Sequence, residues 1–421
     1  MNTRFCKISY NSTKHKKFSM SRLYLEAASV LEKLFREKSG LKSAVYASKC
    51  APKQKPSLLA LVSKAFANQK LLNQALTAIG AFKTETKMRR GLLVVMLTEL
   101  IYGSGVINGG GQVKKFLMEH VDELRSKFEG KIPKHSTKSE SAKLPRYVRV
   151  NPTRWKSIDA AISHLVKNGI SDPKKDENIP NLLVIDPSFT KTLVALESVK
   201  RGDLILQDKS TCVSAFALLN DRPPVPSSPI HVMDVCAAPG GKTIHILEKL
   251  RPGDFLTAIE MDEKRVKILE ERIAALGDIK KGVTVKIIKE DFLKLFADDA
   301  RLTTSIPVTH INLDPSCSGS GMDGPKTNGK KQLQSLASFQ SMMLKHAQNA
   351  FDKVETVCYS TCSIFSVENE EVVNSTVSSQ FEIHPQPLPS EWWTPSEDSF
   401  IRTSPDTHKC RGFFLAKLVR K

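Results

Sequence analysis

From residue 207 onward, short apolar runs alternate with helical stretches, and nearly every run stops at a residue with chemistry to offer. Ile230–Cys236 reads as a strand, followed by Ala237-Ala238-Pro239-Gly240-Gly241-Lys242-Thr243 and a helix to Leu250. Phe255–Ile259 is a second strand, ended by Glu260, with a helix from Glu263 to Leu276. Val283–Ile288 is followed by Glu290-Asp291, Val308–Leu313 by Asp314, and Val354–Tyr359 runs toward Cys362. Gly412–Val419 is a closing strand. Alternation of this kind predicts an α/β fold, an open and mostly parallel sheet with right-handed crossovers. In such sheets ligands bind outside the carboxyl ends of the strands. Five successive strand ends here carry a glycine-rich loop, Glu260, Asp291, Asp314 and Cys362. Any one of them fits a helix cap, and for Asp291 the cap competes evenly. Five on one edge point to a site.

The rest of the chain differs in charge. Of 421 residues with formal charge +19, residues 1–150 hold 29 Lys and Arg against 10 Asp and Glu, whereas residues 151–421 hold 34 of each. Concentrated positive charge is what phosphate neutralisation requires, so the balance favours a nucleic-acid partner over mere solubility. No apolar run of 18 residues occurs, so no membrane span is expected. The first twenty residues lack an apolar core, so no secretory signal is expected.

The domain reading follows these shifts. Residues 1–20 are expected to be a basic disordered tail, with a mitochondrial transit peptide as the alternative. Residues 21–130 form a helical basic N-terminal domain, in which Pro56, Gly80 and Gly109-Gly110-Gly111 punctuate the runs 57–81, 91–102 and 112–128. Residues 131–143, rich in Lys and Ser, are a linker. Residues 144–206 are a small α+β module: Arg146–Asn151 alternates as a strand, Ser157 caps a helix to Lys167, and Leu204–Leu206 is another strand. Leu193–Leu196 stays open between strand and helix. The Arg and Tyr residues of Arg146–Asn151 are candidates to touch RNA. Residues 207–421 are the Rossmann-like catalytic domain.

Eight cysteines are scattered without zinc-ligand spacing, so no metal site is expected. Two of them stand apart. His310–Gly321 reads as a strand that stops at Asp314-Pro315, followed by Cys317 among Ser and Gly; Thr356–Ser363 reads as a strand that ends at Cys362, with a helix start after it. Two thiols at the ends of successive strands suggest covalent chemistry on a flat electrophile, and a helix dipole behind Ser363 would help ionise Cys362. Cys236 and Cys358 read as core strand positions, and His245 needs no role. The glycine-rich loop is no phosphate loop, which would need glycine where Cys236 stands. Lys242 can act near a carboxylate. Glu260 suits a ribose diol, and Asp291 suits the exocyclic amine of adenine. A nucleoside bearing a sulfonium fits such an acid-lined pocket, where a phosphate-bearing cofactor would bring anions.

The segments 234–243 (DVCAAPGGKT), 260–265 (EMDEKR), 290–292 (EDF), 313–321 (LDPSCSGSG) and 359–363 (YSTCS) resemble the motifs of the Sun (Fmu-like) RNA cytosine methyltransferases. The resemblance covers at least residues 144–421. With 145–151 (PRYVRVN), 204–212 (LILQDKSTC), 411–418 (RGFFLAKL) and the helical front, it points to the eukaryotic branch acting on large-subunit ribosomal RNA. It implies S-adenosyl-L-methionine as cofactor, held by Cys236, Ala237, Ala238, Pro239, Gly240, Gly241, Lys242, Glu260, Arg265, Asp291 and Asp314. It implies catalysis by three residues. Cys362 adds to cytosine carbon 6, Asp314 holds the ring at nitrogen 3, and Cys317 assists removal of the carbon 5 proton and release of product. It implies a nuclear and nucleolar location. Transfer RNA as the substrate, or a non-catalytic ribosome-assembly role, are the alternatives.

Overall fold

A computed structural model describes residues 12–36, 41–51, 54–83, 88–128, 144–219, 222, 228–276, 282–302, 304–322, 329–385, 388 and 399–421. These fall into two compact units, one before residue 129 and one from residue 144 on. The expected linker 131–143 lies outside the described residues.

The first unit is all helical: α1 (Ser12–Arg36), α2 (Leu41–Tyr46), α3 (Lys55–Ala67), α4 (Gln69–Ala78), α5 (Arg90–Tyr102), α6 (Gln112–Glu119) and α7 (Val121–Phe128). Its centre is α5, a nearly continuous apolar run buried on almost every side, as a helix at the middle of a bundle must be. Tyr24, Leu31, Leu58 and Leu97 pack in the same core. Glu32 pins the start of α5 to α1 by accepting from Arg89 Nη2 at 2.7 Å and the Gly91 N–H at 3.2 Å. The helix α1 begins at Ser12, inside the stretch 1–20 expected to be a disordered tail. The physical reason is plain in the residues: no Gly or Pro occurs before Gly40, so nothing stops a helix that the apolar stripe from Leu23 organises. Residues 1–11 are outside the described set.

The second unit begins with β1 (Arg146–Val150), α8 (Ile158–Lys167), β2 (Lys174–Lys175), β3 (Leu182–Ile185), α9 (Thr190–Ala195), α10 (Glu197–Lys200) and β4 (Leu204–Leu206). Its four strands form an antiparallel sheet in the order β2-β3-β1-β4. Ser157 caps α8 by accepting from the Ala160 N–H at 3.1 Å. The open stretch 193–196 is helical through Ala195.

Then come α11 (Lys209–Leu219), β5 (His231–Val235), α12 (Gly241–Lys249), β6 (Phe255–Glu260), α13 (Glu263–Ala275), β7 (Thr284–Lys289), β8 (His310–Leu313), α14 (Lys330–Asn349), β9 (Thr356–Thr361), α15 (Glu370–Thr376), β10 (Phe381–Ile383), β11 (Ile401–Thr403), α16 (Pro405–His408) and β12 (Phe413–Arg420). They build an eight-stranded sheet in the order β10-β12-β9-β8-β5-β6-β7, with β11 paired to β12. Pairing from β7 to β9 is parallel throughout, and β10, β11 and β12 are antiparallel. Parallel strands are covered on both faces, which explains why β5, β8 and β9 are buried along almost their whole length.

The small sheet is welded to the large one through β1. Arg149, 1% exposed, pairs with Glu248 of α12 and donates to Gln207 Oε1 at 2.9 Å. The Tyr147 hydroxyl donates to the Lys409 carbonyl at 3.0 Å. This corrects the expectation that these two residues touch RNA. A strand's period-two pattern says which side chains share a face, not what that face packs against. Here the face meets α12 and the loop before β12, and a buried guanidinium survives only with such partners.

Candidate active site

Register alone aligns the site. Val235 pairs with Ile259 on one side and with Leu313 on the other, and Leu313 pairs with Tyr359. One residue further along, Cys236, Glu260, Asp314 and Ser360 therefore stand level across four neighbouring strands. That level is the carboxyl edge of the parallel sheet, where the sequence placed the site.

The glycine-rich loop occupies the middle of this edge. Cys236 leaves β5 with φ +60°, and Gly240 opens α12 with φ +97°. The left-handed turn suits Gly240, because a Cβ there would also meet Leu269 Cδ1 at 2.8 Å. Gly241, beside it, faces open space: a Cβ there meets nothing within 4 Å. Beneath the loop, buried Asp234 accepts from Thr243 Oγ1 at 2.5 Å and from Asn312 Nδ2 at 2.7 Å, tying α12 to β8. Burial pushes the Asp234 carboxyl up to about 6. Cys236 is partly exposed just beyond β5 rather than a core strand residue, because the turn rotates it out of the sheet; burial of its sulfur nonetheless pushes its thiol up to about 12. Cys358 is fully buried in β9, and His245 is buried in α12 edge-on to Phe216.

On the β6 and β7 side, the Glu260 carboxylate is 4% exposed and lies 3.1 Å from Arg265 Nη1. Its other oxygen accepts from the Asp262 N–H at 3.0 Å. Arg265 also donates to the Ala238 carbonyl, so one guanidinium fixes both the acid and the glycine-rich loop. Asp291 caps a short 3₁₀ turn, Phe292–Lys294, accepting from the Leu293 N–H at 3.1 Å. The cap thus claims one oxygen of Asp291.

On the β8 and β9 side, Lys242 Nζ lies 2.6 Å from Asp314 Oδ1 and 3.0 Å from Ser360 Oγ. Ser360 in turn donates to Asp314 Oδ1 at 3.1 Å. The sulfurs of Cys317 and Cys362 are 3.0 Å apart, both partly exposed. At that distance one sulfur can donate a hydrogen bond to the other. The hydrogen bond from Cys317 lowers the Cys362 thiol, with further help from the Lys242 charge, and outweighs burial and the Asp314 charge. The same hydrogen bond, with burial, pushes Cys317 far up. Within the pair Cys362 is therefore the easier sulfur to ionise and Cys317 the harder. No helix dipole contributes as expected: residues after Ser363 form a loop and a 3₁₀ turn, Ser366–Glu368, before α15 begins at Glu370 behind two acids.

The sequence-predicted residues Cys362, Cys317, Asp314, Lys242, Glu260 and Arg265, from the ends of four strands, are thus brought to one edge. Sequence reasoning missed Ser360, which bridges Lys242 and Asp314 from 118 and 46 residues away. It also missed Asp234 under the loop, although an acid two residues before Cys236 was a visible signal. Among the described residues no group of three or more His, Cys, Asp or Glu side chains is arranged to hold a metal, and no helix is long and apolar enough to cross a membrane.

An open, mostly parallel sheet with a glycine-rich turn after its central strand and a buried acid ending the next defines a Rossmann-like methyltransferase. Comparison with known proteins gives the family. Residues 225–419 match the model of the 16S rRNA methyltransferase RsmB/F family, and residues 56–142 match the N-terminal domain of NOL1/NOP2/Sun domain family member 5. The chain is 32% identical to a 28S rRNA (cytosine-C(5))-methyltransferase of Mus musculus, over 94% of this chain and 91% of the relative. It is 30% identical to a 25S rRNA (cytosine-C(5))-methyltransferase of Schizosaccharomyces pombe, over 94% and 90%. Among solved structures, PH0851 superposes with a TM-score of 0.64 at 20% identity, covering 99% of this chain and 100% of its own. A methyltransferase homolog protein from Pyrococcus horikoshii gives 0.52 at 20% identity, covering 84% and 99%. The chain belongs to the NOL1/NOP2/Sun family, in the branch of the eukaryotic 25S and 28S rRNA (cytosine-C5)-methyltransferases.

Proposed function

We propose that this protein methylates carbon 5 of a cytosine in large-subunit ribosomal RNA, with S-adenosyl-L-methionine as the methyl donor. The observation that carries the reading is the pairing of two cysteine sulfurs, Cys362 and Cys317, 3.0 Å apart beside Asp314. A binding module has no use for two paired cysteines at a sheet edge.

The chemistry follows from the weakness of cytosine carbon 5 as a nucleophile. The Cys362 thiolate adds to carbon 6 and makes the ring an enamine, whose carbon 5 attacks an electrophilic methyl group. Asp314, braced by Lys242 and Ser360, holds the ring at nitrogen 3, which takes up a proton from solvent as the thiolate's charge enters the ring and donates it to the carboxylate in a hydrogen bond. Once the Cys362 sulfur is bound to carbon it carries no charge, so the strongest influence raising Cys317 disappears. Cys317 is then easier to ionise: it gives its own proton to solvent, its thiolate takes the carbon 5 proton, and elimination frees Cys362 again as the thiolate.

The donor's pocket fits the residues around the glycine-rich loop. S-adenosyl-L-methionine supplies a methyl group on a sulfonium. The backbone at Gly241 leaves room for close approach, and the buried Glu260 carboxylate, held by Arg265, accepts hydroxyl donors of a ribose. Asp291 serves the adenine end with the oxygen its cap leaves over. The basic first 150 residues neutralise phosphate. A substrate made in the nucleolus places the protein there, within the nucleus.

Bisulfite mapping of ribosomal and transfer RNA from cells lacking the protein is the test. Loss of one methylated cytosine from large-subunit RNA, restored by the wild-type chain, is expected. Loss confined to transfer RNA, or no loss at all, would overturn the assignment.

A further inference from the structure

Both reactive cysteines sit on loops, not on regular elements, so the 3.0 Å contact between their sulfurs needs something to hold the loops in register. The structure assigns that task to Glu368: it is a positioning residue that clamps the Cys317 loop to the Cys362 loop, an inference that rests on the methyltransferase reading above.

The residue following each cysteine meets the same carboxylate. Ser318, after Cys317, donates its backbone N–H to Glu368 Oε1 at 2.9 Å. Ser363, after Cys362, donates its hydroxyl to Glu368 Oε2 at 2.5 Å. One carboxylate oxygen is thus given to each loop. A third donor comes from α14: Gln340 Nε2 donates to Glu368 Oε1 and to the Ser316 carbonyl, both at 3.0 Å. Glu368 and Gln340 are fully buried. A buried carboxylate without donors is costly, so these three bonds define where the group sits.

The clamp also orders the hydroxyls around it. Ser363 has one hydroxyl proton, and it goes to Glu368. Its oxygen then accepts from the Phe365 N–H at 3.1 Å and from one of its hydroxyl neighbours, Ser318 Oγ at 3.1 Å or Ser320 Oγ at 3.2 Å. Ser320 accepts from the Ile364 N–H at 3.0 Å, and the Gly321 N–H donates to the Cys362 carbonyl at 2.9 Å. Each of these bonds joins the two loops or stiffens one of them. From below, the Tyr359 hydroxyl donates to the Glu368 carbonyl at 2.6 Å, fixing the clamp itself to β9. The carboxylate touches neither sulfur through any of these bonds. It acts through the loop backbones, by setting the distance between them.

Glu368→Gln tests this with little change of shape. An amide cannot accept on both sides, so either the Ser318 loop or the Ser363 hydroxyl chain is released. The reading is the pH midpoint for iodoacetamide alkylation of Cys362 in RNA-free protein, followed by peptide mass spectrometry, beside steady-state methylation. Loosened loops lose the Cys317 hydrogen bond, so the midpoint rises toward that of a free thiol. The kcat falls about tenfold, as loss of one buried hydrogen bond allows, while KM for RNA and for the methyl donor holds. Ser363→Ala, a smaller change that removes the central hydroxyl, gives the same upward shift if Glu368→Gln does not fold. An unchanged midpoint in both variants, or a lower melting temperature with no shift, overturns the proposal. A shifted midpoint in a protein whose wild type methylates nothing supports the clamp and overturns the function instead.

Discussion

The two halves of the sheet's carboxyl edge are built on different plans. On the β5–β6–β7 side each functional group is set by regular structure: Glu260 is the last residue of β6, Lys242 and Arg265 lie in the first turns of helices, and Asp291 is a cap. On the β8–β9 side the groups that react lie on loops, and buried polar side chains hold them. The first half recognises a rigid ligand whose shape does not change, and rigid elements suit that task. The second half must form and break a bond to sulfur, and adjustable loops tethered by hydrogen bonds permit it.

Changes on the two sides should fail differently. The largest effect belongs to Cys362→Ala. Removal of a nucleophile costs about 10⁴-fold or more in kcat, while calorimetry with the methyl donor should show binding intact. Residual methylation within tenfold of wild type would merge the two halves into one binding site. Glu260→Ala should do the reverse. Loss of a charge-assisted acceptor, about 1.5–3 kcal/mol, should raise KM for the donor about 10- to 150-fold with kcat little changed. A fall in kcat with KM unmoved would mean that Glu260 serves the chemistry rather than the ligand. Ser360→Ala, where the halves meet, should lower kcat only about 3- to 10-fold. Its two bonds disappear but the Lys242–Asp314 pair at 2.6 Å survives. An effect as large as that of Cys362 would show that the serine itself handles a proton.

The same division marks what the sequence shows and what it hides. Mostly apolar runs such as Ile230–Val235 and Val308–Leu313 are legible because a parallel strand is buried on both faces, even with Asp234 and Asn312 among them, and the residue that ends each run is then placed by register. The short antiparallel strands β2, β3, β10 and β11, of two to four residues, carry too little pattern to be seen. Leu182–Ile185, an apolar run behind Pro180, was readable and was missed. Arg149 and Tyr147 were taken for surface because alternation shows a face and not its neighbour. The thiol half is the least legible. Glu368 reads as one acid in an acidic helix start, and its partner Ser318 is 50 residues away. Side-chain clamps between loops leave no local period.

Trapping is the most direct test of the paired cysteines. Cys317→Ala, mixed with large-subunit RNA and S-adenosyl-L-methionine and run on a denaturing gel, should accumulate a protein–RNA adduct. Addition at Cys362 continues while the step that frees it does not. In the Cys317→Ala, Cys362→Ala double variant the adduct should vanish. An adduct that persists in the double variant, or none in Cys317→Ala under conditions where the wild type methylates, would contradict the division of labour between the two sulfurs.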